Sequence, residues 1–335
     1  MKKLLLFIAL LGICTTISAQ QKQPQAIIFE TDMGNDIDDA MALDILFKNM
    51  DQGNINLLGI GVHKNNPHSA EYIDIMRVWY GYKNIPIGVN AKWITDLNCN
   101  DYCTKVCKMT NSDGKPLFER SKNPKYEDAV EMYRRLLSKQ EDGSVVIVTV
   151  GFSTTMAELL QSKPDKYSKL SGMELVAKKV KYFSVMAGEF VQANMKEYNV
   201  WNDLIAAKYF FDKSPVPMVI TPWILGNQVV YPGKSIAEDF NWGKPHPMVE
   251  GYKSYLKMPY DRQTWDVIAA YYACHPDHDA FTLGEPGEVK VVDQGKTVFT
   301  PKADGRFRIL VPSEQQREKI LNYFKETLTT KPKNF

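Results

Sequence analysis

Five carboxylates crowd into the ten residues from Glu30 to Asp39, where an apolar run gives way to a helix-forming one. The acidic positions are Glu30, Asp32, Asp36, Asp38 and Asp39. Like charges this close repel one another, and the pKa of each carboxyl rises unless a positive charge lies among them. The loop therefore predicts a bound cation.

Three other interpretations of this loop can be weighed from its residues. Capping of the helix that begins near Ala40 needs one or two acids, whereas four aspartates lie within the eight residues 32–39. An EF-hand counted from Asp32 needs a glutamate at its twelfth position, and that position is Leu43. A metal-dependent phosphohydrolase with a D-x-D pair has Glu30 where the first aspartate belongs, and this alternative stays open.

Short apolar segments alternate with helical patterns along the chain, which predicts an open, largely parallel, Rossmann-like α/β sheet flanked by helices. The predicted strands are 25–31, 55–62, 143–150, 180–188 and 215–222. The predicted helices are 39–49, 68–81, 126–138, 154–162 and 201–211. Beyond residue 285 the pattern predicts a small antiparallel addition and a closing helix. We expect a single domain over residues 26–330.

Polar loops follow several of these strands. The acidic loop is one, the GFSTT segment at 151–155 is another, and the segment 186–199 is a third. Ligands in open α/β sheets bind beyond the carboxyl ends of the strands. We therefore expect these three loops to converge on one active-site crevice.

The acidic loop resembles the N-terminal signature of the nucleoside hydrolases, D-x-D-P-G-x-D-D-A. The matching positions are Glu30, Asp32, Gly34, Asp38, Asp39 and Ala40. Glu30 replaces the first aspartate, Met33 replaces the proline, and two residues are added before the aspartate pair. Three further segments resemble family motifs in the same order, namely GFSTT, MKEYNVWNDLIAA and TWDVIAA.

The resemblance implies the nucleoside hydrolase fold and a calcium-dependent, inverting hydrolysis of the N-glycosidic bond of ribonucleosides or related N-ribosides. The implied calcium ligands are Asp32, Asp39, Asp266 and the backbone carbonyl of Thr154. Hard oxygen donors of this kind suit Ca²⁺ or Mg²⁺ rather than zinc. Asp32 is also the implied general base.

The resemblance also implies a set of sugar-binding residues: Asp38, Asn194, Glu197 and Asn199. Two of these assignments have a simpler alternative, since Glu197 suits the start of a helix and Asn199 suits a helix cap. On the leaving-group side, purine-cleaving relatives carry a histidine where this chain has Trp265, which can stack on a planar ring. We assign His63, Lys64 and Arg262 as candidates for recognising a less ordinary leaving group.

Two rival functions stay open. One is a non-catalytic riboside-binding or sugar-binding protein that retains the cation site, motivated by the missing histidine. The other is the phosphohydrolase that uses the same acids. Retention of Asp32 favours the enzyme over the binding protein.

The first 19 residues have the two lysines, apolar core and small-residue cleavage site of a signal peptide. We therefore expect an exported protein, with the periplasm as its compartment. Removing Lys2 and Lys3 takes the formal charge from +2 to 0, because residues 1–19 contain no acid. This neutral chain offers no electrostatic attraction for a nucleic acid polymer or for an anionic membrane, and no later apolar run is long enough for membrane insertion.

Four cysteines remain after that segment: Cys99, Cys103, Cys107 and Cys274. Their even number permits disulfides in an exported protein without indicating the pairing. The regular spacing of the first three also suits a metal on one helix face. Finally, family members are dimers or tetramers, so the resemblance implies a homo-oligomer.

Overall fold

The computed structural model describes residues 23–92, 101–192 and 194–334. The predicted signal peptide and Cys99 lie outside these residues, so the expectations about them stay predictions. In the described part, Cys103, Cys107 and Cys274 form no disulfide with one another. None of the helices there combines the length and apolar composition needed to cross a bilayer.

The strands of the described residues form one ten-stranded sheet and one two-stranded ribbon. They are β1 (Gln25–Thr31), β2 (Ile55–His63), β3 (Ile87–Asn90), β4 (Glu127–Asp128), β5 (Val145–Thr149), β6 (Val180–Met186), β7 (Met218–Thr221), β8 (Val230–Tyr231), β9 (Arg262–Gln263), β10 (Gly287–Val292), β11 (Lys296–Pro301) and β12 (Phe307–Ile309). The large sheet has the order β11-β10-β12-β7-β6-β5-β1-β2-β3-β4, and β8 pairs with β9.

The helices cover both faces of the sheet and its connections. They are α1 (Asp38–Asp51), α2 (Pro67–Trp79), α3 (Tyr102–Cys107), α4 (Ala129–Leu137), α5 (Thr154–Gln161), α6 (Gly172–Lys179), α7 (Tyr198–Asn202), α8 (Leu204–Lys213), α9 (Trp223–Gln228), α10 (Gly233–Glu238), α11 (Pro247–Tyr255), α12 (Trp265–Cys274) and α13 (Glu314–Thr329).

The centre of the sheet is parallel and buried on both faces. Strand β1 pairs in parallel with β2 and β5, and β6 pairs in parallel with β5 and β7. Along β1, Ile27 and Phe29 belong to one hydrophobic cluster and Ile28 belongs to the other. Successive side chains of a strand point to opposite faces, so this short apolar segment packs into the hydrophobic core on each side of the sheet. The predicted open, parallel α/β sheet is confirmed.

Two predicted regions differ in detail from the structure. The helix predicted over 201–211 is two helices, α7 and α8, because Asp203 leaves the helical conformation with φ −125° and ψ 46°. The C-terminal addition has the expected antiparallel pairing of β10 with β11. It extends the main sheet, because β12 pairs in parallel with β7.

Candidate active site

A cavity of about 240 Å³ lies beyond the carboxyl ends of β1, β5 and β6. Its polar lining consists of Asp32, Asn35, Asp36, Asp38, Asp39, Glu197, Asn199 and Asp266. The remaining lining residues are apolar or aromatic: Val150, Met186, Tyr198, Trp223, Tyr255 and Trp265. Two of the three predicted loops, the acidic loop and the segment 186–199, therefore meet at this cavity. The GFSTT segment supplies no lining residue, and Val150 before it and the start of α12 line the cavity instead.

The acidic loop is held by local contacts between β1 and α1. The Thr31 hydroxyl donates to Asp39 and accepts the backbone N–H of Met33 at 3.1 Å. Gly34, with φ +114°, makes the turn that few other residues adopt. Asp38 and Asp39 then occupy the first turn of α1, where the helix dipole favours negative charge.

Four buried aspartates of this cavity have raised pKa values. Burial raises the pKa of Asp32 to about 6, against the opposing effects of the Lys64 ammonium and of Asn35. Burial also raises the pKa of Asp38 to about 7. The pKa values of Asp39 and Asp266 lie well above the ordinary range, because of burial first and repulsion from neighbouring aspartates second. Four ionised carboxylates in this space need positive charge beside them.

The donor set fits a hard divalent cation. The Asp38 carboxylate accepts the backbone N–H of Asp266 at 3.0 Å through Oδ2, which ties α1 to α12. Its other oxygen, Oδ1, is buried and has no hydrogen-bonding partner. The remaining donors are carboxylate oxygens of Asp32, Asp39 and Asp266, which suit Ca²⁺ or Mg²⁺. An ion held there also offsets the mutual repulsion of these acids.

The opposite wall combines Glu197 with Asn199 at the start of α7. Glu197 is the N-cap of that helix, and its carboxylate accepts the backbone N–H groups of Asn199 at 2.8 Å, Val200 at 3.1 Å and Gly188 at 3.2 Å. Burial raises the pKa of Glu197 while these amides oppose the shift. The capping alternative is thus found in the structure, and it places the same carboxylate in the cavity.

Asn199 does not cap a helix through its side chain. Its amide nitrogen donates to the backbone carbonyl of Val150 at 2.8 Å, and both residues line the cavity. The contact joins the end of β5 to α7 and fixes the orientation of the amide. The Asn199 carbonyl oxygen remains available to a hydroxyl in the cavity.

Aromatic rings form another wall. The indole N–H of Trp265 donates to the backbone carbonyl of Trp223 at 2.9 Å, so that N–H is already bonded within the protein. Arg262 lies over the rings of Trp265 and Tyr255, at 5.0 Å and 5.1 Å from their centroids. The Arg262 guanidinium also forms an ion pair with Asp36 at 2.7 Å.

His63 and Lys64 do not line the cavity. His63 Nε2 donates to the Lys92 carbonyl oxygen at 3.0 Å, and burial lowers the pKa of His63 to about 4. Lys64 donates to the side chain of Asn35, and Asn35 donates to Asp32. Lys64 therefore contacts Asn35 behind the cavity, and its charge lowers the pKa of Asp32.

Thr154 and Asn194 also lie elsewhere. Thr154 starts α5, and its backbone N–H and hydroxyl donate to Asp203 at 2.6 Å and 2.9 Å. Asn194 is exposed and accepts from Lys296 at 3.5 Å. The resemblance placed the ligating carbonyl at Thr154, but β5 ends at Thr149. Val150, directly after that end, lines the cavity instead.

Sequence reasoning missed several residues that line the cavity. Val150 is the last residue of the predicted strand 143–150, and Trp223 directly follows the predicted strand 215–222. Position at the carboxyl end of a strand was the signal that could have identified both residues. Tyr255 ends α11, and no local pattern around it indicates a site.

Comparisons with known proteins agree with this geometry. The sequence profile of the family described as inosine-uridine preferring nucleoside hydrolase matches residues 27–325. The chain has no significant match among curated proteins.

Solved structures resemble the fold over almost the whole chain. A plant nucleoside hydrolase shares 20% identity, with a TM-score of 0.68, over 92% of this chain and 100% of that chain. A purine-preferring ribonucleoside hydrolase from Gardnerella vaginalis shares 16% identity, with a TM-score of 0.69, over 91% and 98% of the two chains. An inosine-uridine preferring nucleoside hydrolase from Bacillus anthracis shares 16% identity, with a TM-score of 0.66, over 90% and 99%.

The family match spans most of the chain, and the acidic cavity lies where the sheet topology places an active site. The chain belongs to the inosine-uridine preferring nucleoside hydrolase family and is a hydrolase of N-glycosyl compounds.

Proposed function

We propose that the protein hydrolyses the N-glycosidic bond of ribonucleosides or closely related N-ribosides, with a bound Ca²⁺ and with Asp32 as general base. The observation that carries this proposal is the convergence of Asp32, Asp38, Asp39 and Asp266 with Glu197 and Asn199 around one cavity. Family membership supports the reaction class. Hard oxygen donors support calcium.

The sugar is assigned to the polar part of the cavity. Asp38 Oδ1, which has no hydrogen-bonding partner, can accept a ribose hydroxyl. Glu197 is held by three backbone amides and presents a fixed negative charge. Asn199, oriented by the Val150 carbonyl, supplies a second acceptor. These groups orient the ring, and their negative charge favours an oxocarbenium-like transition state over the neutral substrate.

Asp32, Asp39 and Asp266 would hold the cation, and a cation bound there would polarise water and vicinal hydroxyls. Asp32 removes one proton from the attacking water, whose oxygen forms a bond to the anomeric carbon. The carbon–nitrogen bond breaks, its electron pair goes to the departing nitrogen, and that nitrogen takes a proton from solvent. Asp32 then returns the proton that it removed to solvent, which completes the addition of one water. Asp32 is held for this step by Asn35, which donates to its carboxylate.

The aromatic wall supports a planar leaving group. Trp265 and Trp223 both line the cavity, and the Trp265 N–H is already used within the protein. No histidine lies among the cavity-lining residues in the described part of the chain. The wall therefore favours stacking of a nucleobase on the Trp265 ring over proton donation from that position.

A substrate panel separates this function from its rivals. We expect reducing sugar to be released from ribonucleosides, with loss of activity in chelator and recovery on adding Ca²⁺. Release of phosphate from nucleotides without release of base would identify the phosphohydrolase. Calcium-dependent ribose binding without turnover would identify the sugar-binding protein. If the panel showed no turnover and no ribose binding, that result would contradict the assignment of the cavity.

Location and assembly are further parts of the proposal. We propose that the chain is exported to the periplasm after cleavage behind Ala19, and that it assembles as a dimer or tetramer. The lysine-flanked apolar start supports export. N-terminal sequencing of the periplasmic fraction should begin at Gln20. Light scattering of the purified protein should give a multiple of the chain mass, and a monomer would contradict the expected assembly.

A further inference from the structure

A second group of potential metal ligands lies outside the acidic cavity, between α2 and α3. His68 and Glu71 lie on the first turns of α2, and Cys107 is the last residue of α3. One ligand atom from each lies within 4.8 Å of the others. Among the described residues this is the one group of three or more His, Cys, Asp or Glu ligands gathered so closely.

The spacing suits direct coordination. The Nδ1 atom of His68 lies 2.7 Å from Oε2 of Glu71, and the Cys107 thiol contacts the His68 backbone carbonyl at 3.7 Å. Bonds from zinc to nitrogen, oxygen and sulfur are about 2.0–2.3 Å, so ligand atoms around one tetrahedral ion lie about 3.3–3.7 Å apart. Side-chain rotations at His68, Glu71 and Cys107 would bring their ligand atoms to these separations around one ion.

Arg120 supports two of the three candidate ligands. Its guanidinium pairs with Oε1 of Glu71, which leaves Oε2 directed at His68. The same side chain donates to the backbone carbonyl of Cys107 at 2.9 Å. Metal ligands in proteins are commonly oriented by such outer contacts. A single residue thus holds the carboxylate of one ligand and the backbone of another.

The donor chemistry differs from that of the acidic cavity. Imidazole nitrogen and thiolate sulfur select zinc and other borderline or soft metals, whereas carboxylates alone select calcium or magnesium. The His68 and Glu71 side chains are 29% and 23% exposed, so an ion from solvent can reach them. Cys107 is buried and in no disulfide in the described structure.

We propose that His68, Glu71 and Cys107 form a binding site for a thiophilic divalent cation such as Zn²⁺, with a water in the fourth position. Binding forms a metal–sulfur bond and releases the thiol proton to solvent, together with the Nδ1 proton if the imidazole is charged.

The site connects to the acidic cavity through α3. Tyr102, the first residue of that helix, donates to the Asp36 backbone carbonyl at 3.2 Å. An ion at the other end of α3 therefore stabilises a helix that contacts the acidic loop. The expected role of this ion is structural, and the proposal of this site does not depend on the proposed reaction.

Cobalt titration of the full mature chain tests the site, with saturating Ca²⁺ present to occupy the acidic cavity. We expect one equivalent of Co²⁺ to produce a thiolate charge-transfer band, with release of protons into a weakly buffered solution. Cys107→Ser should abolish the band, and His68→Gln should weaken Co²⁺ binding at least about tenfold. Cys274→Ser, at another buried thiol, is the matched control and should keep the band.

Zinc should raise the melting temperature of the wild-type chain and of Cys274→Ser, but not of Cys107→Ser. Absence of the band in wild type overturns the proposal. So does a band that survives Cys107→Ser or disappears with Cys99→Ser alone. If Cys107→Ser fails to fold, the variants His68→Gln and Glu71→Gln test the site instead, because both positions are partly exposed. Unchanged Co²⁺ affinity in both variants overturns the assignment.

Discussion

At the level of single residues, Asp32 lies at the end of a short chain of polar contacts. Lys64 donates to Asn35, and Asn35 donates to Asp32. Lys64 is buried, and its charge lowers the pKa of Asp32 against the larger opposing effect of burial. The protein thus places one of its own cations behind an acidic site that we assign to a divalent ion.

Replacing Asp32 with asparagine keeps the size of the side chain and removes the general base. We expect kcat to fall by roughly 100- to 10,000-fold, the range for loss of acid–base catalysis. Without a cation, the melting temperature of the variant should equal or exceed that of the wild type, because one of the mutually repelling buried carboxylates has been removed. Steady-state kinetics and thermal melting measure the two effects.

Asp203→Asn is the control for that variant. Asp203 is a half-buried carboxylate outside the cavity that accepts from Thr154 at the start of α5. We expect a lower melting temperature with little change in kcat. Full turnover by Asp32→Asn would show that another group removes the proton.

Replacing Lys64 with methionine removes a buried positive charge while keeping much of the side-chain volume. Less repulsion of an incoming cation should tighten Ca²⁺ binding roughly tenfold, by charge interaction over several ångströms. The cation-free protein should melt at a lower temperature. Calorimetric titration with Ca²⁺ measures whether the affinity rises or falls. Lys92→Met, at an exposed lysine, serves as the control.

A different result in Lys64→Met would support the leaving-group role expected from the sequence. That result is an unchanged Ca²⁺ affinity together with a raised KM for the true substrate.

At the level of elements, the site depends on how α9 and α12 meet. A Cβ atom added at Gly226 of α9 would lie only 1.9 Å from Cδ1 of Trp265, the first residue of α12. The absence of a side chain at Gly226 therefore sets the position of the indole ring. The Trp265 N–H bond to the Trp223 carbonyl holds the ring in that position from the same helix.

Replacing Gly226 with alanine should displace the Trp265 ring. We expect an overpacking cost of about 1–3 kcal/mol in the free energy of unfolding, and a fall in kcat/KM for substrates with aromatic leaving groups. The double variant Gly226→Ala, Trp265→Phe should regain most of the stability, since a smaller ring relieves the clash. Equal stability of the single variant and wild type contradicts the predicted packing.

Local sequence signals identified the central elements but not their connections. Strand β1 has the predicted bounds, because a short apolar run that ends in an acidic turn is a local pattern. The break between α7 and α8 was missed, since Asp203 is turned out of the helix by its bond to Thr154, 49 residues earlier. Contacts of that range leave no periodic signal.

At the level of the whole molecule, the buried carboxylates make stability depend on pH and on cations. Unfolded aspartate has a pKa near 4, whereas the folded values of Asp32 and Asp38 are about 6 and about 7. The folded protein therefore holds more protons than the unfolded chain in this interval. Without a cation, the free energy of unfolding falls as the pH rises from about 4 to about 7.

Calcium should reverse this trend, because it replaces the protons that the acidic cavity otherwise holds. We expect the rise in melting temperature on adding Ca²⁺ to be larger near pH 7.5 than near pH 5. At a concentration of 100 times Kd, the stabilisation should be about 2.7 kcal/mol. Thermal melts in chelator and in CaCl₂ at both pH values test this. Indifference to Ca²⁺ at both would remove the cation from the proposed mechanism.

The sequence by itself determined the parallel centre of the sheet, the acidic loop behind β1 and the family, because strand periodicity and a dense run of acids are local patterns. Only the tertiary structure decided that Val150 rather than Thr154 lines the cavity, that Lys64 contacts Asn35, and that Trp223 and Tyr255 join Trp265. Each of these depends on packing between segments far apart in the chain. The physical reason is that a side chain's neighbours across a cavity are set by the three-dimensional path of the backbone, which short-range propensities do not encode.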